Sequence, residues 1–376
     1  MRIVYVLNSL GIGGAERQAL AIADRMFLRG HAVAILVLGP RLIDEWPTTL
    51  SVIHLDMDKT PANVLGAVVK ARRFLRAFRP HLIHSHSFHA NIFARLFKPL
   101  IPSAGILSTV HNVYEGGWQR MLVYRLTDGL ANRTTTVSQA AADRFVRLRA
   151  VPRHRCFVLP NGIDIAEFAP DEDRRALMRE TMGAGESFIW IAAGRMVPAE
   201  DYPNLLRAFK QVRVALPSTQ LWIAGAGADA TQKRIADGRK VLLSGFSVEH
   251  GSMENVRLLG LRRDMPALLD AADAFVLSSA WEGMPLVVGE AMAMEKPVVA
   301  TDAGGTHELV GSAGTIVPVA DSSALAAAML NLMQLSDQAR QSQGRAARDR
   351  IASCFTFEAR ADEWEALYRS IIETRN

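Results

Sequence analysis

Glu282 and Glu290 bracket the stretch Gly283-Met284-Pro285-Leu286-Val287-Val288-Gly289, which follows the apolar run Ala274–Leu277 and the pair Ser278-Ser279. Carboxylates accept hydrogen bonds from sugar and ribose hydroxyls. Pro285 suits the first turn of a helix, where its missing N–H costs nothing, so Glu282 is expected in the loop and Glu290 inside the helix. The amides at the start of that helix, from Met284 to Leu286, would then be available to a phosphate. Taken alone, the segment also fits a helix that carries two unrelated surface acids.

A second phosphate-type turn lies near the start, where Ser9-Leu10-Gly11-Ile12-Gly13-Gly14-Ala15-Glu16-Arg17 joins an apolar strand to a helix. Glycines there let backbone approach a ligand closely. The dinucleotide pattern G-x-G-x-x-G is not met, because Glu16 holds the third glycine position, so a nicotinamide enzyme is disfavoured. By itself the turn is either a phosphate cradle or a tight connection. His111 follows the apolar run Gly105–Val110. The His84-Ser85-His86-Ser87-Phe88-His89 run has histidines but none of the zinc spacings, so no metal is expected there.

These residues all fall after apolar runs, and the runs alternate with helical periodicity. Strand Arg2–Leu7, helix 15–29 and strand Ala32–Leu38 open a βαβ unit. A helix over 62–78, a strand at His81–His84, a helix near 91–97 and strands at Gly105–Val110 and Thr134–Val137 continue it. A second series runs through strand Phe188–Ala192, helix 204–215, strands Gln220–Ala224 and Val256–Leu259, and helix 265–271. Strand Ala274–Leu277, helix 285–294, strand Pro297–Ala300 and a helix from Ser322 complete it. Two doubly wound α/β units follow, with ligands expected at the carboxyl ends of strands. The length of 376 residues fits two domains better than one. The expected division is 1–165, a linker at 166–185, then 186–356. Residues 357–376 make a C-terminal helix assigned to the N-terminal domain, although sequence alone does not decide its partner.

Composition narrows the function classes. Hydrophobic residues make up 49% and charged residues 22%, an ordinary globular balance, and two cysteines distant in sequence exclude a disulfide framework or cysteine metal site. A reducing cytosol is expected. There is no secretory leader pattern and no apolar run near the roughly 20 residues that cross a bilayer. The net charge of +5 divides unevenly: residues 1–166 hold 21 Lys and Arg against 10 Asp and Glu, and the remainder holds 22 against 28. An acidic half argues against a nucleic-acid coat, whereas one basic domain suits an anionic membrane or acceptor.

Several short motifs, in order, carry a resemblance over nearly the whole length. They are Gly11 to Arg17, Thr109-Val110-His111-Asn112, Val137-Ser138, Pro160-Asn161-Gly162-Ile163-Asp164, Gly194-Arg195, and the pair Glu282 and Glu290. The chain resembles family 4 of the retaining nucleotide-sugar glycosyltransferases. The resemblance implies a GT-B fold, two Rossmann-like domains facing across a cleft, with the N-terminal one binding acceptor. It implies that Gly13 and Gly14 approach the donor diphosphate, Arg195 neutralises it and Glu290 binds the ribose. Glu282 and the amides of Met284 and Leu286 would hold the transferred sugar, beside Pro285, and His111 would orient it. No metal or other cofactor is implied. One position departs from the family: Glu200 stands five residues after Arg195, where a lysine is usual. Either Glu200 points away, or another cation, Arg262 or Arg263, substitutes for the lysine.

Lys70, Arg72, Arg73, Arg76 and Arg79 interleave with Ala71, Phe74, Leu75 and Phe78, a basic amphipathic pattern able to rest on anionic lipid. An ordinary helix with Phe74 and Phe78 in the core fits as well. Arg144, Arg147, Arg149, Arg153 and Arg155 form a second basic cluster. The reading is a hexosyltransferase that uses a UDP- or GDP-linked sugar and a glycan or lipid-linked acceptor, cytoplasmic and peripheral on the membrane. The alternatives are a nucleotide-sugar 2-epimerase and a non-catalytic nucleotide-sugar-binding partner.

Overall fold

The computed structural model describes residues 1–11, 13–42, 45–58, 60–227, 241–243, 246–248, 253 and 255–374. The chain divides into two compact units. Unit 1 comprises Met1–Gly162 with Phe357–Asn376, and unit 2 comprises Ile163–Thr356.

Unit 1 is built on β1 (Arg2–Leu7), β2 (Ala32–Val37), β3 (Ser51–His54), β4 (Leu82–His86), β5 (Gly105–Val110), β6 (Arg133–Thr136) and β7 (Cys156–Val158). They form one sheet in the order β3-β2-β1-β4-β5-β6-β7, with every pairing parallel. Both faces are covered, which is why the central strands read as unbroken apolar runs. Its helices are α1 (Gly14–Leu28), α2 (Pro61–Phe78), α3 (Phe88–Phe97), α4 (Trp118–Thr127) and α5 (Gln139–Arg147). Alternation along β1 divides the core. Ile3, Tyr5 and Leu7 pack with Leu20, Ala23 and Met26 of α1, while Val4 and Val6 pack with Ala67, Ala71 and Leu75 of α2 and Ala90, Ala94 and Phe97 of α3.

The C-terminal helix Phe357–Glu373 lies on the α1 face of that sheet. Phe357, Ala361, Trp364, Tyr368 and Ile371 recur at four- and three-residue steps and enter the same cluster as Ile3, Tyr5 and Leu7. Tyr368 Oη meets Tyr5 Oη at 3.1 Å and His84 Nδ1 at 2.7 Å, so a polar thread runs through this core. A Cβ on Gly162 would come within 2.8 Å of the Phe357 Cα, which makes glycine necessary where the helix passes.

Unit 2 is built on β8 (Phe188–Ala193), β9 (Thr219–Ala224), β12 (Val256–Gly260), β13 (Ala274–Leu277), β14 (Val298–Thr301) and β15 (Thr315–Val317). These run parallel in the order β12-β9-β8-β13-β14-β15, beside a short antiparallel pair, β10 (Val241–Leu243) and β11 (Phe246–Val248). Its helices are α6 (Glu172–Thr181), α7 (Tyr202–Ala215), α8 (Met265–Ala271), α9 (Leu286–Ala293), α10 (Thr306–Val310), α11 (Ser322–Gln334) and α12 (Asp337–Cys354). Side chains of Asp171, Asp201, Asp321 and Ser336 accept hydrogen bonds from the first-turn amides of α6, α7, α11 and α12.

Three sequence expectations change. Residues 166–185 are not a linker, because α6 belongs to unit 2. Arg175 donates to the carbonyls of Asp270 and Ala272 at 2.5 and 2.8 Å, and Arg179 to that of Ala271 at 2.9 Å. Those carbonyls end α8, where a cation is favoured by the helix dipole. Strand β3, helices α4 and α5 and strands β7 and β15 add elements that the apolar runs had not marked. Pro285 precedes α9 as its N-cap rather than lying in its first turn. Among the described residues no helix is long and apolar enough to cross a membrane.

Trp364, 2% exposed, fills the centre of the α1-side core. Trp364→Ala is expected to destabilise the protein by about 3–5 kcal/mol. Urea unfolding followed by circular dichroism measures that loss, and a change under about 1 kcal/mol would contradict this packing role.

Candidate functional site

In unit 2, β8 and β13 are neighbours in register, Ala274 opposite Trp190, so the loops after them emerge side by side. The first carries Gly194, Arg195 and Glu200; the second carries Ser278, Ser279, Glu282 and Met284. Ser278 Oγ donates to the Glu200 carbonyl at 2.7 Å and the Ala280 amide to the Ala199 carbonyl at 2.7 Å, which lace the two loops together. Asp201 has left-handed backbone, φ +43°, and caps α7 through its carboxylate at 3.3 Å from the Asn204 amide. The chain therefore turns sharply after Glu200.

That turn sends the Glu200 side chain inward, so Glu200 does not point away. Its carboxylate lies where any Cβ on Gly194 would collide with it. Ser279 Oγ donates to Glu282 Oε1 at 2.9 Å and stands 3.4 Å from Glu200 Oε2. Burial raises the Glu282 carboxyl above the usual carboxylate range, and the Glu200 charge raises it further. Burial also raises Glu200, against the opposing charge of Arg195. Arg195 is exposed, which weakens that opposition through solvent screening. Of the two arginines considered as substitutes, Arg262 is held by Asp264 through contacts of 2.8 and 2.5 Å, and Arg263 is exposed. Met284, Pro285 and Glu290 are buried and Leu286 half-buried around the start of α9.

In unit 1, the candidates also follow strands. Gly13 caps α1 in extended conformation, and the Glu16 carboxylate sits where a Cβ on Gly13 would be. The glycine thus makes room for the chain's own acid at the helix start, with Gly14 opening the helix. His111, at the end of β5, meets His86 at the end of β4, His86 Nδ1 to His111 Nε2 at 2.8 Å. His86 Nε2 is buried without a partner among the described residues. Burial pushes His111 down to about 4, and burial holds His84 and His86 well below the ordinary histidine range. These imidazoles are therefore neutral at pH 7. His84 spends both ring nitrogens on Tyr368 and Thr109, at 2.7 Å each. Among the described residues no group of three or more His, Cys, Asp or Glu is placed to hold a metal ion.

Two features were missed from sequence. Glu115 accepts from the His111 amide at 3.3 Å and from Tyr124 Oη at 2.6 Å, and burial pushes it up to about 7. It braces the loop that carries His111. Trp118, Leu122 and Leu126 form an exposed apolar stripe along α4, with Trp118 71% and Leu126 74% exposed. Their four-residue spacing was the available signal. On α2, Phe74 and Phe78 pack against the core, as the ordinary-helix reading required. Leu65 and Val69, at 65% and 59% exposure, share the outer surface with Lys70 and Arg73. In the second basic cluster, Arg153 pairs with Asp143 at 2.8 Å and Arg155 with Asp128 at 3.2 Å.

Comparison with known proteins agrees with this arrangement. Residues 12–167 match the family model described as Glycosyltransferase Family 4, and residues 187–335 match Glycosyl transferases group 1. The chain is 30% identical to a GDP-mannose-dependent alpha-(1-6)-phosphatidylinositol monomannoside mannosyltransferase of Mycolicibacterium smegmatis, over 70% of each chain. It is 24% identical to the UDP-Gal:alpha-D-GlcNAc-diphosphoundecaprenol alpha-1,3-galactosyltransferase of Escherichia coli, over 82% of this chain and 80% of that one. The crystal structure of HepE from Anabaena in complex with UDP-glucose superposes with a TM-score of 0.82 at 20% identity, covering 98% of this chain and 100% of that one. The two parallel-sheet α/β units thus have the GT-B fold, and the chain belongs to family 4 of the nucleotide-sugar glycosyltransferases.

Proposed function

We propose that the protein is a retaining hexosyltransferase that moves a hexosyl unit from a UDP- or GDP-linked sugar to a lipid-linked glycan of a bacterial surface polysaccharide. The observation that carries this reading is the grouping of Arg195, Ser279, Glu282 and the start of α9 at the carboxyl edge of the unit 2 sheet. Two relatives named for UDP- and GDP-sugars and for lipid-borne acceptors support the donor and acceptor classes.

In this reading Arg195 neutralises charge on the departing diphosphate and Glu290 takes the ribose hydroxyls. Glu282 and the amides of Met284 and Leu286 hold the sugar, since Pro285 has no N–H to give. From unit 1 we assign Gly13 and Gly14 to the diphosphate and His111 to orienting the sugar, as a neutral imidazole. The acceptor attacks the face from which the nucleotide leaves, and a donor phosphate oxygen takes its proton. Rate then comes from leaving-group stabilisation and positioning, with no metal or other cofactor required.

The acceptor's lipid calls for an anionic membrane surface beside unit 1. Helices α2 and α4 flank α3 on one side of the sheet: α2 and α3 share one core cluster, while Phe88 and Ile92 of α3 pack with Met121 and Tyr124 of α4. Both flanking helices expose apolar side chains next to basic ones, Leu65 and Val69 beside Arg73, and Trp118 and Leu126 beside Arg125. Such faces suit the headgroup boundary of an anionic bilayer.

Thermal stability against UDP, GDP, ADP and dTDP tests the donor site. One nucleotide at about 100 times its dissociation constant should add roughly 2.7 kcal/mol, and Arg195→Ala should remove most of that gain. No shift with any of the four would sink the reading, and a donor isomerised without acceptor would favour the epimerase. For the surface, the protein is expected to sediment with phosphatidylglycerol liposomes at low salt. Trp118→Ser with Leu126→Ser should release it, and sedimentation equal to that with neutral liposomes would remove the membrane from the proposal.

A further inference from the structure

Glu200, five residues after Arg195, is turned toward Glu282. Ser279 stands between them, 2.9 Å from Glu282 Oε1 and 3.4 Å from Glu200 Oε2. A serine hydroxyl has one hydrogen to donate. If it is given to one carboxylate, the other contact is favourable only when that second carboxyl donates a proton to the serine oxygen. The Glu–Ser–Glu chain therefore closes when it holds one proton beyond the hydroxyl's own, and two bare carboxylates leave it open.

We infer that Glu200 is a positioning residue for the donor: through Ser279 it fixes Glu282 and shares one proton with it, so that the loop meets the donor diphosphate with one negative charge instead of two. This rests on the reading of unit 2 as the donor site. Among the described residues, the charged and titratable groups acting on the pair are Arg195 and Tyr202. Of these, Arg195 opposes the pair's charge, and it is exposed. Tyr202 is buried, donates to the Gly194 carbonyl at 2.9 Å and is kept neutral by burial and by the two glutamates. Burial raises both carboxyls, and the Glu200 charge raises Glu282 further, so the pair favours keeping a proton. A bound diphosphate adds negative charge and strengthens that preference. Donor binding then takes up a proton wherever the free pair has lost it, and donor affinity falls as pH rises.

The ligand-free protein carries the same signature. A carboxyl raised in the fold binds a proton that the unfolded chain has released, so its contribution to stability is present at lower pH and lost as pH rises through the raised value. Removing the Glu200 carboxyl removes its own share of that loss and the repulsion it exerts on Glu282, so the remaining pH dependence is shallower.

Calorimetric titration of the full chain with UDP and with GDP from pH 6 to 9, in buffers of different ionisation heat, reads affinity and proton uptake together. Wild-type affinity for the nucleotide that binds should fall about tenfold across that range, a change of one pKa unit. Glu200→Gln should flatten the profile and bind about tenfold tighter at pH 9. Ser279→Ala should keep the fold and lose the proton uptake. Parallel profiles for wild type and Glu200→Gln, with binding intact, would overturn the inference. If neither nucleotide binds at any pH, the donor-site reading falls and the donor part of the inference with it. The shared proton is then judged by the thermal midpoint of the ligand-free protein between pH 6 and 9, which Glu200→Gln should flatten, an unchanged slope overturning the pairing as well.

Discussion

Parallel strands that are buried on both faces can release polar side chains only where they end, and neighbouring strands end at the same edge. In unit 2 this brings the continuations of β8 and β13 together, so Gly194 and Arg195 face Ser279 and Glu282 although some eighty residues separate them. In unit 1 the same constraint brings His86 at the end of β4 to His111 just past the end of β5. The strands beneath are dry, so groups at the edge have lost much of their water. Protonation at these edges is set first by burial and only then by neighbours. His111 is lowered by burial alone, and Glu282 is raised by burial more than by Glu200, with Arg195 too exposed to reverse it.

The two edges resolve this cost differently. Unit 1 keeps its polar thread neutral: Tyr5, Tyr368, His84, Thr109 and Thr135 follow one another at 2.7 to 3.1 Å without a formal charge. Where a charge is buried there, it is saturated by dipoles. The Arg95 guanidinium is fully buried and donates to Ser108, Thr127, Thr134 and the Tyr124 carbonyl, with the Tyr124 ring 5.0 Å away. An uncompensated guanidinium in such a place would cost several kcal/mol. Unit 2 instead sets two half-buried acids, Glu200 and Glu282, on either side of Ser279, with the exposed Arg195 as an opposing charge.

The architecture was legible because its signals are local. Apolar runs such as Ile3–Leu7 and Ala274–Leu277 needed no partner to be read as buried strands, and the loops after them were the right places to look for chemistry. What was not legible depended on distant partners. The acidic and basic stretch 172–181 falls in the expected linker, and only Asp270 and Asp273, almost a hundred residues on, which receive its arginines, tie it to unit 2. Phe74 and Phe78 on α2 looked as suited to lipid as to core, and only packing against α3's cluster decides. The α4 stripe carries a plain four-residue period, but it follows the turn-rich run Asn112 to Gly117, which hides the start of the helix. The orientation of Glu200 rests on the left-handed Asp201 and on a hydrogen bond from Ser278, neither of which the spacing from Arg195 encodes.

The backbone at position 200 is held without reference to its side chain. The Glu200 amide donates to Val197 O at 3.1 Å, its carbonyl accepts from Ser278, and Asp201 supplies the turn and the cap of α7. Any residue compatible with a short turn would be presented to Glu282 in the same way. A lysine there would form a fixed ion pair whose charge is constant across the physiological range. A glutamate in the same frame forms a chain whose charge follows pH. The side chain at position 200 therefore sets the charge that the loop presents within an unchanged backbone frame, and its effect falls on ligand electrostatics and on the pH dependence of stability.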